Sequence, residues 1–379
     1  MKLQFDFRDL FKSLRIAFSV QRIWIEFTGL LLGYAGYFVF SVVSLLLSGF
    51  HLQQILARFG LFPWLIGANV QVSVTSKIVF ALGLFFLLAV HLVTSTAVAR
   101  ASFMVLKGNH YFTWREAFSF AFKKCGSTLL TPVAVGIFIL GGLVGISFLG
   151  FLGRIPFLGE LSISMITTLW MLASFLLMFL ILVSVVAVVL APAIIATTNE
   201  DAFEAVFQSF STAWSQPVRL VVYEGLATAI AVFGFGVLAV FAKTTFVFIS
   251  RVFSFAMGDN FINLASHAQY LLQSWTITLD KGLHIVLGKA TSWFFFSRDF
   301  IPLQLPPTLQ VSSYIFALNM MVIGALVLSY LFATYDTGNM MTYLILRKLK
   351  DDENLLDRSD RDESVDEEGE ATNSNSQSG

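Results

Sequence analysis

The sequence predicts an all-α polytopic membrane protein, a bundle of about six transmembrane helices arranged as three pseudo-repeats of interfacial helix plus hairpin. Three observations carry this expectation. Of 379 residues, 56% are hydrophobic and 13% charged, against roughly 25% charged in an ordinary soluble chain. Six segments of about 20 residues or more are almost free of charge, enough to cross the roughly 30 Å hydrocarbon layer as helices that satisfy their own backbone groups. Three shorter stretches of one design precede the first, third and fifth of these segments.

The N-terminal region, "MKLQFDFRDLFKSLRIAFSVQRIWIEF", carries charges through Glu26 and then enters a hydrophobic stretch. That stretch is too long for a signal-peptide core and lacks a small-residue cleavage site, so the first span is expected to be retained. The spans lie near 27–48, 78–99, 128–150, 163–191, 218–241 and 312–335. The apolar "LFPWLIG" at 61–67 is too short to cross and reads as an interfacial dip. Gly29, Gly33 and Gly36, and Gly141 with Gly145, have the small-residue spacing that permits close helix contact. Pro132 and Pro192 fall near span ends, where a missing N–H marks a start, a stop or a kink.

The three short stretches are "DFRDLFKSLRIAFS" at 6–19, "TWREAFSFAFKKCG" at 113–126 and "DAFEAVFQSFSTAW" at 201–214. Each opens on Asp or Thr with an acid three residues on: Asp6 and Asp9, Thr113 and Glu116, Asp201 and Glu204. Thr113 with Glu116 has the pattern of a capping box, and the two acidic variants, Asp6 with Asp9 and Asp201 with Glu204, favour the positive end of a helix dipole. Apolar residues then recur at helical spacing: Phe7, Phe11, Leu14 and Phe18; Trp114, Phe118, Ala121 and Cys125; Phe203, Val206, Phe207, Phe210 and Trp214. One apolar and one polar face is the pattern of a helix lying in the membrane interface.

Lysine and arginine flanks set orientation, because positive flanks are retained in the cytoplasm. With the N-terminus inside, 16 of the 24 basic residues fall on inner segments and eight outside. Both termini are therefore expected in the cytoplasm. The loop over 243–310 is the largest outer excursion. It is rich in aromatics, including Trp293 and "WFFFS" at 293–297, and "FINLASHAQYLLQSW" places Phe261, Leu264, Leu271, Leu272 and Trp275 along one helical face. It reads as an outer lid on the integral domain of residues 1–350. Residues 351–379 hold 11 acidic residues against Arg358 and Arg361, which leaves 22 basic and 13 acidic residues before them. Their low apolar content predicts a disordered acidic cytoplasmic tail.

Polar groups inside a span are costly and so are candidates for function. Glu26 sits beside Arg22 and Trp24 at the inner end of the first span. His91, followed by Thr94, Ser95 and Thr96, lies deeper in the second. Glu224, next to Tyr223, is about two turns into the fifth and needs a partner or a proton there. His91, Glu224, Tyr223 and Glu26 form the candidate intramembrane polar site, on the hypothesis that His91 and Glu224 face each other.

No P-loop, G-x-S-x-G elbow, H-E-x-x-H or dinucleotide glycine fingerprint is present. Histidines 51, 110, 267 and 284 are scattered, and the single cysteine, Cys125, can form no internal disulfide. No metal, cofactor or nucleic-acid partner is expected. Membrane lipids are the expected partners, and the acidic tail is a candidate docking segment for a basic protein.

From the fourth span onward, Pro192 closing the span, Ala205 and Ser209 in an E-A-x-x-x-S helix, and the closing "MMTYLILRKLKDDENL" resemble a group of uncharacterised bacterial membrane proteins. Those in turn look related to the membrane domain attached to some glycerophosphodiester phosphodiesterases. The resemblance covers about 150 residues and transfers no catalytic residue, since the soluble phosphodiesterase domain is missing. It implies a bacterial inner-membrane protein. The favoured role is a non-enzymatic organiser or accessory of the membrane. The alternatives are a carrier or channel for a lipid or small solute using His91 and Glu224, and an intramembrane lipid-modifying enzyme.

Overall fold

The computed structural model describes residues 3–65, 72–279, 281 and 305–358. Among these residues the fold is all-α, without strands. A 3-10 turn at Phe7–Phe11 leads into α1 (Lys12–Ala17), followed by α2 (Val20–Leu47), α3 (Leu52–Phe59) and α4 (Val74–Leu106). Next come α5 (Trp114–Lys123), α6 (Cys125–Leu152), α7 (Leu158–Met165) and α8 (Thr167–Thr198). The last four are α9 (Ala202–Ser215), α10 (Pro217–Met257), α11 (Asp259–Trp275) and α12 (Pro307–Asp351). Among the described residues the element order short, long, short, long occurs three times over. The six long helices, α2, α4, α6, α8, α10 and α12, are long and apolar enough to cross a membrane; the protein is a multi-pass membrane protein.

These helices outrun the hydrophobic segments that mark them. α12 has 45 residues, which at roughly 1.5 Å per residue is a rod of about 67 Å, twice the hydrocarbon thickness. Loss of hydropathy does not end a helix; a backbone break does. α10 therefore passes Lys243 and Arg251, where hydropathy places an outer loop, and stops at Met257 before Gly258, whose φ is +59°. Likewise α8 runs through Pro192, expected to close the span, and ends at Thr198, where Asn199 takes the left-handed conformation at φ 56°. A missing N–H is tolerated inside a membrane helix when neighbouring groups re-satisfy the turn. The fold also continues past residue 350: a 3-10 turn spans Leu355–Asp357, and Leu355 is buried in the core. The tail expected to be disordered, from 359 on, and Trp293 with "WFFFS" lie outside the described residues, as does the end of "LFPWLIG".

The chain forms two compact units. The first comprises residues 1–25, 92–230 and 333–379. Its core joins Leu10, Phe103, Leu190, Ile194, Ile195, Met340, Met341 and Leu344, all fully buried. Ala99, Ala187, Ala193, Ala196, Ala205 and Ala213 are buried among them. Lipid is as apolar as leucine, so hydrophobic driving force between membrane helices is small, and such alanines act by letting backbones approach. The stretch from Asp336 to Leu346 of α12 is buried on every face, which makes it the central helix of this unit.

The second unit comprises residues 26–91 and 231–332. Here α2 and α4 pack closely, since a Cβ at Gly36 would overlap the Phe86 ring and one at Gly83 would approach Phe40 to 2.7 Å. The expected close contact holds for Gly36, and also for Gly33, beside Leu87 and Val90. Described residues of the expected dip are tied to helices: Tyr34 donates to the Leu61 carbonyl at 2.8 Å, Tyr37 to that of Pro63, and Trp64 stands edge-on to Phe80. α11 buries Phe261, His267, Ala268 and Leu271, with Leu272 and Trp275 packed beside them. The Leu61 N–H donates to the Trp275 carbonyl at 2.8 Å, and Gly60, at φ +66°, has no room for a side chain against that carbonyl.

Candidate functional site: a buried polar seam in the first unit

Two short runs supply the seam, "TSTAVARAS" at 94–102 in α4 and "TYDTGN" at 334–339 in α12. Ser95 donates to Asp336 Oδ1 at 2.5 Å. Arg22, at the start of α2, donates from Nε to Ser102 Oγ at 3.1 Å, and Ser102 shares a 3.0 Å hydrogen bond with Thr337. Thr96 meets Thr128 of α6 at 3.2 Å. Arg100 donates to the Ala196 carbonyl at 3.0 Å and lies 4.4 Å above the Phe120 ring. All these side chains except Phe120 are buried.

The seam ends on a second carboxylate. With its amide nitrogen facing both acceptors, Asn339 donates to the Tyr335 carbonyl at 3.1 Å and to Glu224 Oε2 at 2.9 Å. Tyr335 lies within electrostatic reach of both Glu224 and Asp336. Asp336 is 1% exposed. Its Oδ2, and Glu224 Oε1, are buried without a hydrogen-bond partner among the described residues. Neither acid forms an ion pair among them. An unpaired buried polar atom forfeits its hydration, at a cost of about 1–3 kcal/mol and more when charged.

A second set of contacts fixes the end of α12. Arg347 donates to Gln208 of α9 at 2.5 Å and to Glu353 at 2.9 Å, and pairs with Asp351 at 2.9 Å. Lys350 reaches Ser211 at 2.5 Å, and Arg358 pairs with Glu200 at 2.9 Å. Lys348 donates to Asp352 at 2.8 Å and holds that carboxyl below its ordinary value.

The short helices orient their aromatics outward. α9 buries Ala205, Gln208, Ser209, Thr212 and Ala213, leaving Phe203, Phe207, Phe210 and Trp214 exposed. Phe210 stacks parallel on Trp214, and both stand edge-on to Phe179 of α8. α5 buries Ala117 and Ala121 and exposes Trp114, which stands edge-on to Phe118. Both helix starts form as their sequences imply. Thr113 and Glu116 close a capping box, and Asp201 accepts from the Glu204 N–H at 3.1 Å. The Thr113 N–H, donating to Glu116, holds that carboxyl below its ordinary value. At the first stretch Asp6 caps a 3-10 turn instead, while Asp9 folds inward to accept from the Gln4 and Phe5 N–H groups, each at 2.7 Å.

Of the four expected polar-site residues, Glu224 belongs to the seam, and Tyr223 packs against the apolar core of the same unit. His91 and Glu26 belong to the second unit. The His91 ring stands edge-on to Phe332 with centroids 5.4 Å apart, and Glu26 is buried. Sequence reasoning missed Asp336, Asn339 and Arg100. The signal was present: an Asp and an Asn within "FATYDTGNMMTYLIL" interrupt an otherwise apolar helical run, which ending the span at 335 left out of view. No three His, Cys, Asp or Glu side chains converge on a metal position among the described residues. Comparison with known families, characterised proteins and solved structures returns no match.

Proposed function

We propose that the protein sits in a bacterial inner membrane with both termini cytoplasmic and works without catalysis, by organising or assisting other membrane components. The excess of basic residues on the inner segments and the resemblance of its C-terminal part to bacterial membrane proteins support the placement. One observation carries the role: the α6–α8 hairpin has two faces to offer and uses only one. In the most apolar stretch of α6 and of α8 only 6% and 11% of residues are buried, against 17% to 33% in the other long helices.

The hairpin is closed internally, since a Cβ at Gly142 would come within 2.7 Å of Leu177. Gly141 and Gly145, expected to make helix contacts, instead face open space, as does Gly136. A glycine row on an outer helix face allows another helix to approach closely.

The test is photo-crosslinking in intact membranes from Val144, which is exposed on this wing. A discrete protein adduct, lost when Gly141 and Gly145 are both changed to leucine in a protein that still folds, is the expected result. Adducts to lipid alone, unchanged by those substitutions, would defeat the proposal.

A further inference from the structure

Arg22 carries a charge that nothing among the described residues balances. It stands in the first turn of α2 and is only 4% exposed. Its Nε donates to Ser102 Oγ at 3.1 Å, and Ser102 shares its 3.0 Å hydrogen bond with Thr337. The preceding Gln21 donates to the Phe112 carbonyl at 2.8 Å, which fixes the start of α2 against the connection that follows α4. The terminal nitrogens of the guanidinium, by contrast, have no acceptor among the described residues, and no acid there pairs with it, Asp336 and Glu224 included. A guanidinium taken out of water is costly unless an anion accompanies it.

The place in the chain narrows the anion. Arg22 precedes by five residues the apolar run that starts near residue 27; that is about 7.5 Å of helix, enough to set it in the headgroup layer beside the hydrocarbon core. Phe18, Val20 and Trp24 around it are exposed, and aromatic side chains at this depth are those of a membrane interface. The oxyanions of that layer are phosphates, which a planar guanidinium engages two oxygens at a time. The positive end of the α2 dipole adds to the same field.

We propose that Arg22, oriented by Ser102, anchors a binding site for a phosphate oxyanion, supplied by the headgroup of an anionic phospholipid or by inorganic phosphate. The site asks nothing of the α6–α8 wing and stands whether or not that wing has a partner.

The experiment uses the full chain in micelles of an uncharged detergent. Its thermal unfolding midpoint is followed as phosphatidylglycerol or phosphatidylcholine is added at equal mole fraction, and separately as sodium phosphate replaces sodium chloride at constant ionic strength. A ligand that binds the folded chain and not the unfolded one raises the midpoint saturably. The expected result is a saturable rise with phosphatidylglycerol that phosphatidylcholine does not match, which assigns a lipid headgroup; a rise with inorganic phosphate alone assigns a soluble anion. Arg22→Lys keeps the charge and loses the fork, and should need about 10-fold more ligand for half the effect, a loss of about 1.4 kcal/mol. Arg15→Gln removes an exposed charge from the same end of the chain and should leave half-saturation in place. The proposal is overturned if neither phosphate source raises the wild-type midpoint, if phosphatidylcholine matches phosphatidylglycerol, or if Arg15→Gln weakens the response as much as Arg22→Lys. Ser102→Ala leaves the guanidinium in place but releases Nε, and should also weaken the response. An unchanged half-saturation point in that variant decides against the site even where Arg22→Lys fails to fold.

Discussion

Ser95 and Asp336, 241 residues apart in the chain, meet through a 2.5 Å hydrogen bond inside the first unit. The hydroxyl is the acid's hydrogen-bond donor among the described residues, so removing it strands a buried carboxyl. Ser95→Ala is expected to cost about 1–3 kcal/mol of stability. Replacing both partners by apolar groups can be close to neutral. The double variant Ser95→Ala with Asp336→Leu should therefore lose less than the sum of the two single changes. Denaturant unfolding in micelles measures all three, and additive losses would show that the two side chains are not coupled.

Arg347 joins three elements: α9 through Gln208, its own helix end through Asp351, and the following turn through Glu353. The planar fork makes this possible, and a lysine ammonium offers no equivalent geometry. Arg347→Lys is expected to raise amide exchange about 10-fold across residues 202–215 and 353–357, an opening free energy lower by about 1.4 kcal/mol. Exchange in α6 should stay unchanged. Uniform change along the chain would mean that the residue contributes to global stability rather than to holding α9.

The capping box of α5 gives a pH signature. Glu116 has its carboxyl lowered chiefly by the Thr113 N–H and then by the Thr113 hydroxyl. A lowered folded value means that the contribution is fully present above the ordinary carboxylate pKa of about 4.3 and disappears as pH falls through the folded value. Proteolysis near Trp114 should therefore quicken below about pH 4 in wild type. In Glu116→Gln the rate should lack that step. Thr113→Ala should quicken cleavage at neutral pH too, by about 1 kcal/mol of lost cap.

Much of the fold was legible because membrane insertion leaves so few options. Six uncharged runs had to be helices, and the acids at Glu116 and Glu204 marked where two of the short helices begin. What hydropathy could not show was where a helix stops. It ended α12 at 335, and so Asp336 and Asn339, the heart of the seam, appeared to lie outside the span. It also assigned the residues after 243 to a loop, although no backbone break comes before Gly258. The site was half legible for the same reason: Glu224 stood out as a charge among apolar neighbours, but its partner Asn339 is set by tertiary packing between α10 and α12. The glycines make a similar point. Spacing identified Gly36 and Gly141 alike, and only the packed structure distinguishes a glycine that faces a neighbour from one that faces away.

That distinction can be measured. At Gly36 a side chain meets the Phe86 ring, whereas at Gly141 nothing lies within 4 Å of the added Cβ. Gly36→Val should force α2 from α4 and cost about 1–3 kcal/mol, the usual penalty of overpacking. Gly141→Val, placed on an open face of α6, should change the stability of the isolated protein by less than about 0.5 kcal/mol, as surface substitutions commonly do. Its effect belongs instead to association: if the α6–α8 wing receives another helix, the valine weakens the Val144 crosslink while leaving the unfolding midpoint in place. Equal destabilisation by the two substitutions would show that the hairpin face is already occupied within the folded chain, and the wing would lose its claim to a partner.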